Sequence, residues 1–450
     1  MICAEIFKAN DIRGLAGVPD AQWDEAGARR IGAAFADVFD LAGKTFVMGR
    51  DMRTTGPQLA AAFVDGATSR GASVVDIGLA STDQLWFASG RLEMPGVQFT
   101  ASHNPASYNG VKFCLADAAP VTPDMLVRIR ELAGDDLPAL DRPGTRRDQD
   151  LLGDYAAYLH SLVDLSGIKR LKVVVDAGNG MAGHTCPAVL EPLNLELVKL
   201  FCELDGSFPN HPPNPLEPQN LVDAQRAVVE HGADLALVFD GDADRCFIID
   251  ERGEVVSPSI ITAAIAAQEL AREPGGTIVI NTITSRAVAE AVKAAGGHTK
   301  VSKVGHTYVK ALMARHNAVF GGEHSAHYYF RDFWSADTGM LAALHVLALA
   351  GKADVGLSDL VERYSVYVAS GEINSTVGDP AAVMQRVADA FADRAELDWL
   401  DGLTVNAPDW WLNVRPSNTE PLLRLNVEAR SGGTMAALRD EALAIIRTTD

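Results

Sequence analysis

The chain has 450 residues, of which 48% are hydrophobic, and its formal net charge is −20. This length predicts about three domains rather than one, and the negative charge argues against nucleic acid or an anionic membrane as a general partner. An anionic small molecule stays compatible with this charge if the basic side chains gather in one cleft. The five cysteines are scattered without a CxxC pair, which argues against a disulfide framework or a structural zinc site and favours a reducing compartment.

The sequence predicts no targeting or membrane-spanning segment. The first residues, MICAEIFKANDIRG, mix acidic and basic side chains and lack an apolar core of signal-peptide length. The most apolar stretches, at 260–271 and 340–351, are shorter than a membrane span and therefore predict buried helices. We expect a cytoplasmic protein without a membrane partner.

Helical and strand patterns alternate through the first part of the chain. Apolar residues at helical spacing predict a helix within 21–39, and further strand and helix patterns follow at 44–51, 57–71, 71–78 and 96–103. This alternation predicts layered α/β packing around a mostly parallel sheet. The polar, proline-bearing stretch 133–150 predicts the exit from this first domain.

The same pattern, a β-branched run that ends in a turn of Gly, Asn, Ser or Thr, restarts at 171–180 and at 275–285. Such runs suit buried parallel strands. We therefore expect three α/β domains of related architecture, at 1–150, 151–252 and 253–370.

The last part of the chain follows a different pattern. An amphipathic helix is predicted to begin at Pro380 with Asp379 as its N-cap. The stretch 421–430 alternates strictly, with apolar residues on one side and polar residues on the other: Leu423, Leu425 and Val427 against Arg424, Asn426 and Glu428. This alternation predicts a half-exposed strand of an antiparallel sheet, and we expect a small α+β domain at 371–450.

One apolar strand pattern, at 97–100, breaks into Ser-His-Asn-Pro and then Asn-Gly. These residues supply backbone angles that a continuing strand or helix cannot use, so the turn is predicted to present Ser102, followed by His103, where a reactant can reach it. A lone Ser-His pair is more often an unreactive solvated loop. Lys112, ten residues after Ser102, can bring positive charge to the same place, and Arg13 lies beside a glycine turn near the start of the chain. Either can equally be an ordinary surface cation.

The stretch DGDADR places Asp240, Asp242 and Asp244 at alternate positions after a fully apolar strand pattern. Carboxylates packed so closely repel one another unless a cation neutralises them. All three offer hard oxygen ligands, which favours Mg²⁺ over zinc. The alternative is an acidic surface turn, which we consider less favoured because the preceding strand pattern is fully apolar.

The stretch RPSNTEP is a short loop rich in hydrogen-bond donors: Arg415, Ser417, Asn418 and Thr419. The planar fork of an arginine, together with hydroxyl, amide and backbone N–H donors, suits a phosphate dianion. An ordinary turn between strands is an equal alternative on this motif alone.

The stretch GGEHSAH supplies a fourth polar loop. Glu323 and Ser325 can hydrogen-bond neighbouring hydroxyls of a ligand, and His327 can donate or accept a proton. A histidine beside tyrosines is more often structural, so this loop on its own does not indicate a functional site. Only the other motifs of the chain favour a functional role for it.

Together, TASHNP, DGDADR, GEHSAH and RPSNTEP, in this order and one per predicted domain, resemble the signatures of the α-D-phosphohexomutase family, in its phosphomannomutase/phosphoglucomutase branch. The resemblance covers essentially the whole chain. It implies four domains around a central cleft: three mixed α/β domains and a C-terminal α+β domain related to the TATA-binding-protein fold.

The resemblance also implies a role for each candidate residue. Ser102 resembles the serine that carries a phosphoryl group, and it completes the Mg²⁺ shell of Asp240, Asp242 and Asp244. His103 matches the residue beside that serine. Substrate contacts are implied for Glu323, His324 and Ser325 on the sugar and for Arg415, Ser417, Asn418 and Thr419 on its distal phosphate. The cations and acid/base candidates implied for the cleft are Arg13, Lys112, Arg245 and His327.

The implied reaction moves a phosphate between O1 and O6 of a hexose through a hexose 1,6-bisphosphate, which also serves as activator. Mannose phosphate is the favoured substrate, and glucose phosphate and glucosamine phosphate are the alternatives within the family. The choice among His327, Lys112 and His103 as general acid or base also stays open. A metal-dependent sugar phosphatase and a non-catalytic sugar-phosphate sensor are the rivals outside it. The sequence leaves the oligomeric state open.

Three positions within these motifs depart from the family pattern. His324 lies where dual-specificity members commonly have methionine and glucosamine-specific members glutamine. Ala243 and Ala326 each replace a glycine that is frequent in the family. The sugar loop is where specificity lies, so His324 is the departure that matters most for the substrate.

Overall fold

The computed structural model describes residues 1–417 and 422–448. The chain divides into two compact units. The first comprises Met1–Val256 and Ser325–Ser358, and the second comprises Ser257–His324 and Asp359–Asp450. Among the described residues, no helix combines the length and the apolar character that crossing a membrane would need.

The first segment of unit one is a six-stranded sheet covered by helices. Its strands are β1 (Ile12–Leu15), β2 (Thr45–Arg50), β3 (Ser73–Leu79), β4 (Gly96–Phe99), β5 (Tyr108–Cys114) and β6 (Arg146–Asp148). Its helices are α1 (Glu25–Val38), α2 (Gly56–Ser69), α3 (Thr82–Leu92) and α4 (Pro123–Leu132). The sheet order is β1-β5-β4-β2-β3-β6, with parallel pairing from β4 to β6 and antiparallel pairing at β5 and β1.

The predicted helix and strands of this segment are confirmed, and the sheet is mixed. The core between α1, α2 and the sheet is rich in buried phenylalanines, namely Phe35, Phe46, Phe63, Phe99 and Phe113. The polar stretch 133–150 does not simply leave the sheet, since β6 within it pairs in parallel with β3.

The next segment of unit one is a five-stranded sheet in the order β11-β10-β9-β7-β8. Its elements are α5 (Leu152–Leu162), β7 (Leu171–Asp176), α6 (Ala182–Leu190), β8 (Leu195–Leu200), α7 (Val222–His231), β9 (Leu235–Phe239), β10 (Cys246–Asp250) and β11 (Val255–Val256). Every residue of β9 and β10 is buried, and the two strands pair antiparallel from Phe239 opposite Cys246. The loop 240–245 that joins them is therefore a hairpin turn at the end of a buried strand pair.

Unit two begins with a parallel arrangement in which β12 pairs with both β13 and β14. Its elements here are α8 (Pro258–Arg272), β12 (Thr277–Asn281), α9 (Arg286–Ala294), β13 (His298–Ser302), α10 (His306–His316) and β14 (Phe320–Gly322). The chain then returns to unit one, where it forms β15 (Tyr328–Phe330), β16 (Ala336–Asp337), α11 (Gly339–Gly351) and the start of α12 (Leu357–Glu362). The two buried helices predicted from composition are confirmed as α8 and α11.

The last segment of unit two is an antiparallel sheet in the order β17-β22-β21-β20-β19, with β18 also paired to β22. Its elements are β17 (Val368–Ala369), β18 (Ile373–Thr376), α13 (Pro380–Phe391), β19 (Glu396–Asp398), β20 (Leu403–Asn406), β21 (Trp410–Pro416), β22 (Leu422–Ala429) and α14 (Gly432–Ile446). The predicted cap is confirmed, because the Asp379 carboxylate accepts from the backbone N–H groups of Ala381 and Ala382.

The apolar face of β22 packs into the core as predicted, but the prediction of a half-exposed strand is wrong. Asn426 and Glu428 are 6% and 3% exposed. The Glu428 carboxylate accepts from the indole N–H of Trp411 and from the backbone N–H of Arg286, at the start of α9. The polar face is thus covered by the neighbouring segment of unit two, which a sequence alternation alone does not reveal.

Candidate active site

The serine turn begins where β4 ends. Ser102 has a positive φ of 50°, a left-handed conformation that is uncommon for a residue with a side chain. The Thr100 hydroxyl accepts from the Ser102 backbone N–H at 2.8 Å and fixes the start of the turn. Ser102 is 3% exposed, so it lies buried rather than presented freely at the sheet edge as the turn pattern predicts. Its Oγ donates to Asp240 Oδ2 at 3.0 Å.

The aspartate loop between β9 and β10 supplies three buried carboxylates. Asp240 and Asp242 are 0% exposed and Asp244 is 1% exposed. One oxygen from each lies within 4.8 Å of the others. Ala243 in this loop has a φ of 60°, which explains why glycine suits the position. Among the residues that the structure describes, Asp242 Oδ1 and Asp244 Oδ1 have no hydrogen-bond partner.

Lys112 is the main counter-charge to two of these carboxylates. Its Nζ donates to Asp242 Oδ2 at 2.8 Å and to Asp244 Oδ2 at 2.6 Å. The hydroxyl of Thr82, at the start of α3, also donates to Asp242 Oδ2 at 2.5 Å. All three hydrogen bonds end on Oδ2 atoms, so Oδ1 of Asp242 and Oδ1 of Asp244 stay available for a further cation.

The charges of this loop act strongly on its pKa values. Burial raises the pKa of Asp240 to about 7, against the attraction of Arg245. Burial would also raise the pKa of Asp242, but the Lys112 ammonium and the Thr82 hydroxyl hold it well below its ordinary value. Three clustered carboxylates in a buried loop, two of which have an oxygen without a hydrogen-bond partner, fit a hard divalent cation such as magnesium.

Arg245 joins the aspartate loop to the serine turn. Its Nε and Nη2 donate to Asp240 Oδ2 at 2.9 and 2.7 Å, and Nη2 also donates to His103 Nδ1 at 2.6 Å. Burial and the positive charges of Arg245 and Arg13 lower the pKa of His103 well below its ordinary value, so its ring is neutral. Arg13 reaches the same turn, since its Nη1 donates to Asn104 Oδ1 at 3.0 Å.

Two residues of the sugar loop lie in unit one beside these groups. Ser325 Oγ lies 2.8 Å from His327 Nδ1, and His327 Nε2 lies 3.8 Å from Asp244 Oδ1. His327 also forms a backbone bridge with Arg245. Ala326 between them has a φ of 64°, again a conformation that favours glycine. Asp244, His327 and Asp337 form a second group whose ligand atoms lie close together.

The other two residues of this loop belong to unit two. Glu323 is 2% exposed, and its Oε1 accepts from Asn281 Nδ2 at 2.8 Å and from the backbone N–H of Gly305 at 3.1 Å. His324 Nδ1 lies 3.2 Å from the hydroxyl of Ser259. Burial lowers the pKa of His324, so its ring is neutral at pH 7.

The predicted phosphate loop begins at the end of β21 in unit two, with Arg415 still in the strand. Arg415 Nη2 donates to Glu372 Oε2 at 2.8 Å, and Arg424 Nη1 donates to Glu372 Oε1 at 3.0 Å. Ser417 is anchored by its backbone N–H, which donates to the carbonyl of Leu422 at 2.8 Å. Asn418 and Thr419 lie outside the described residues.

Four family models match this chain in consecutive segments. They are the phosphoglucomutase/phosphomannomutase alpha/beta/alpha domains I, II and III, over residues 4–137, 154–253 and 259–367, and the C-terminal domain of the same family over 372–445. The chain belongs to the phosphoglucomutase/phosphomannomutase family.

Relatives in this family match almost end to end. The chain is 41% identical over 446 residues to the phosphohexose mutases of Xanthomonas campestris pv. campestris, which covers 97% of this chain and 98% of the relative. It is 38% identical over 449 residues to a phosphomannomutase of Escherichia coli K12, with 97% of each chain covered. The crystal structure of a phosphoglucomutase/phosphomannomutase family protein from Burkholderia thailandensis superposes with a TM-score of 0.91 at 32% identity, over 100% of this chain and 99% of that one.

Within unit one, the structure brings together most of the residues singled out by the family motifs. They are Ser102, His103, Arg13, Lys112, Arg245, Asp240, Asp242, Asp244, Ser325 and His327. Glu323, His324, Arg415 and Ser417 lie in unit two. The functional role of each remains a prediction.

Sequence reasoning did not single out the residues that support this site. Thr82 bonds Asp242, Glu372 pairs with Arg415, and Arg53 contacts the serine turn. For Arg53 a weak signal was present, since GRDMR spans the carboxyl end of a predicted strand, where α/β sheets place functional loops. Thr82 and Glu372 carry no comparable signal in one sequence.

Proposed function

We propose that this chain is a phosphomannomutase that interconverts mannose 1-phosphate and mannose 6-phosphate through a phosphoserine at Ser102. The observation that carries the proposal is the 3.0 Å hydrogen bond from the Ser102 hydroxyl to Asp240 within the buried aspartate loop. A serine is useful as a phosphoryl carrier where cations surround it, and Lys112 and Arg245 supply fixed positive charge here. Membership of the family and 38–40% identity to phosphomannomutases of Escherichia coli and Salmonella support the substrate.

Asp240, Asp242 and Asp244 would hold a magnesium ion together with the phosphoryl group on Ser102. When bound, Mg²⁺ neutralises charge on the transferring phosphoryl group. Arg245 keeps Asp240 oriented toward Ser102 through two hydrogen bonds, and Lys112 orients Asp242 and Asp244 through their Oδ2 atoms. This division of oxygens leaves Oδ1 of Asp242 and of Asp244 for the ion.

In the forward step, the bond between phosphorus and Ser102 Oγ breaks while a bond forms from phosphorus to the free hydroxyl oxygen of the hexose phosphate. The product is a hexose 1,6-bisphosphate, and the reverse transfer from its other end regenerates the phosphoserine. The proton of the attacking hydroxyl passes to a base, and the departing Ser102 Oγ takes up one proton, so that the transfer releases no proton overall. We assign the role of base to His327, because His103 Nδ1 accepts from Arg245 and two carboxylates hold Lys112 protonated, whereas the His327 ring is 23% exposed.

The remaining predicted residues would hold the substrate. Glu323, His324 and Ser325 would contact the sugar hydroxyls, and Arg13 would add positive charge near the transferred phosphate. The non-reacting phosphate would bind to Arg415 and Ser417 with Asn418 and Thr419. Each loop then comes from one of the four proposed domains, at 1–150, 151–252, 253–370 and 371–450. A hexose 1,6-bisphosphate would serve as activator, and we place the enzyme in the cytoplasm.

The test is a comparison of kcat/KM on mannose 1-phosphate, glucose 1-phosphate and glucosamine 1-phosphate, each with Mg²⁺ and a trace of hexose 1,6-bisphosphate. We expect mannose 1-phosphate to lead, with glucose 1-phosphate second. A lead for glucosamine 1-phosphate would retain the mechanism and overturn the substrate. Release of inorganic phosphate without isomerised product would instead establish a metal-dependent phosphatase.

A further inference from the structure

Arg53 lies in the loop after β2, and its side chain is fully buried against the serine turn. Its Nε donates to Asp51 Oδ2 at 3.2 Å, which supplies a buried counter-charge. The other four N–H bonds all point to backbone carbonyls of the turn: those of Ser102, Asn104, Pro105 and Tyr108, at 2.6 to 2.9 Å. All five donors of the guanidinium are therefore used, four of them on one loop.

Four carbonyl dipoles that converge on one point repel one another unless a cation lies between them. Arg53 supplies that cation, and its side chain is 0% exposed. It also supplies geometry, because its planar fork directs two donors from each terminal nitrogen at fixed angles. The turn that it holds includes Ser102, whose φ of 50° would relax toward a more common conformation in a free loop.

The position of Ser102 is coupled to the aspartate loop through its backbone as well as its hydroxyl. Gly241 packs so closely that a Cβ at this position would lie 2.5 Å from the Ser102 carbonyl oxygen. Arg53 Nη2 donates to that same oxygen at 2.9 Å. A shift of this carbonyl therefore moves the serine relative to Asp240.

We propose that Arg53 is a positioning residue for phosphoryl transfer, which holds the serine turn so that Ser102 Oγ stays aligned with the aspartate loop. The inference rests on the proposed role of Ser102. Arg53 has no contact with a reacting atom; it acts on the rate through the turn. Since only the transfer step depends on this alignment, the loss of Arg53 lowers kcat and leaves substrate binding in unit two nearly unchanged.

The experiment compares Arg53→Lys with Arg70→Lys in the full-length enzyme. Arg70 is the matched control, because it also pairs with an aspartate, Asp37, and donates to a backbone carbonyl, that of Pro138, but has no contact with the serine turn. We expect Arg53→Lys to lower kcat about a hundredfold, the effect of a displacement of roughly 1 Å at a reacting group. KM should stay within about twofold, and Arg70→Lys should keep wild-type kcat.

A second readout separates positioning from folding. Addition of guanidinium ion at low concentration to Arg53→Ala should raise its kcat several-fold, whereas ammonium should not, because only guanidinium has the planar fork. Wild-type kcat in Arg53→Lys, or equal losses in the Arg53 and Arg70 variants, would overturn the proposal. If the wild-type enzyme only releases phosphate, the proposed mutase function fails, and the same variants test Arg53 on phosphate release.

If Arg53→Lys melts below the assay temperature, Phe208→Leu replaces it in the test. The Phe208 ring lies 5.1 Å from the Arg53 guanidinium carbon, and the leucine removes this cation–π contact without removing a hydrogen bond. We expect kcat to fall about threefold with KM unchanged, because the loss of this contact loosens the guanidinium that holds the serine turn. An unchanged kcat in this folded variant would overturn the proposal.

Discussion

The hydroxyl of Ser102 donates to Asp240 Oδ2 at 3.0 Å, although the two residues are 138 positions apart in the sequence. Each lies just past the end of a buried strand, Ser102 after β4 and Asp240 after β9. Arg245 reinforces the pairing by bonding both Asp240 and His103. A hydroxyl held beside a buried carboxylate and two fixed cations is suited to carry a phosphoryl group.

Substitution of Ser102 by alanine should lower mutase turnover by at least about a thousandfold, because the enzyme then lacks the hydroxyl oxygen that carries the phosphoryl group. The melting temperature should stay within a few degrees of the wild-type value, since only one hydroxyl is lost. Ser166→Ala, at an exposed serine that bonds Asp164, is the control and should keep full turnover. Phosphopeptide mass spectrometry of the wild-type enzyme should find the phosphate on Ser102, and near-normal turnover of Ser102→Ala would refute its role.

Removal of divalent cations by a chelator should lower turnover by at least about a hundredfold, since a metal ion contributes several kcal/mol to stabilising transition-state charge. Addition of Mg²⁺ should restore turnover and raise the melting temperature, because an ion that binds only the folded state stabilises it. Asp242→Asn should abolish both responses.

Asp337→Asn identifies which group of carboxylates holds the ion. Asp244 belongs both to the loop with Asp240 and Asp242 and to the second group with His327 and Asp337. We expect Asp337→Asn to keep the rise in melting temperature with Mg²⁺. A response that survives in Asp242→Asn and disappears in Asp337→Asn would place the ion in the second group.

Much of the architecture follows from local patterns. The strand and helix spacing of the first segment, the Asp379 cap and the buried helices α8 and α11 are all confirmed, because each depends on residues within one element. The burial of Glu428 was missed because it depends on α9, more than 130 residues earlier in the chain, whose first backbone N–H bonds the carboxylate. An alternating pattern identifies which residues share a face of a strand but not what covers that face.

The candidate site shows the same limit. Its acidic triad and its serine turn are visible as unusual residue types at strand ends, so a single sequence reveals them. The supporting residues are common types whose partners are distant: Arg53 bonds a loop about 50 residues away, and Thr82 bonds Asp242 across 160 positions. These residues meet their partners only in the folded protein, so a pattern along the sequence cannot identify them.

Arg415→Met should raise KM for the sugar phosphate about tenfold to a hundredfold, because a hydrogen bond to a charged group contributes about 1.5–3 kcal/mol. The effect on kcat should be smaller, since the proposed role of Arg415 is to hold the phosphate that does not react. Arg430→Met is the control: Arg430, like Arg415, forms ion pairs within unit two, here with Asp409 and Glu290, but it is not in the predicted loop. Equal KM values for wild-type enzyme and Arg415→Met would contradict the phosphate-binding role.

Asp83 should make the stability of the protein depend on pH between about 4 and 6. It is 1% exposed on α3, and burial raises its pKa to about 6, although the hydroxyls of Ser81, Thr338 and Tyr155 donate to it and oppose the shift. Asp244 is the nearby charge that adds to the rise. An ordinary aspartate in the unfolded chain loses its proton near pH 3.9.

The sign follows from proton binding. Between these two pKa values the folded state holds a proton that the unfolded chain has lost, so stability falls as pH rises through the window. The contribution over the whole window is about 3 kcal/mol, because one pKa unit corresponds to about 1.4 kcal/mol. Asp83→Asn cannot titrate. The difference in melting temperature, wild type minus Asp83→Asn, should therefore decrease from pH 4.5 to pH 6.5 and then stay constant.

Asp205→Asn provides a control of opposite sign. The side chain and backbone N–H of Ser207 lower the pKa of Asp205, so its stabilisation is present above the unfolded pKa and is lost as pH falls. Wild type minus Asp205→Asn should thus stay nearly constant between pH 4.5 and 6.5, because its titration window lies below the unfolded pKa of about 3.9, while the Asp83 difference decreases. A difference for Asp83→Asn that does not change between pH 4.5 and 6.5 would show that Asp83 is already ionised in the folded protein, and that its three hydroxyl donors outweigh the cost of burying its charge.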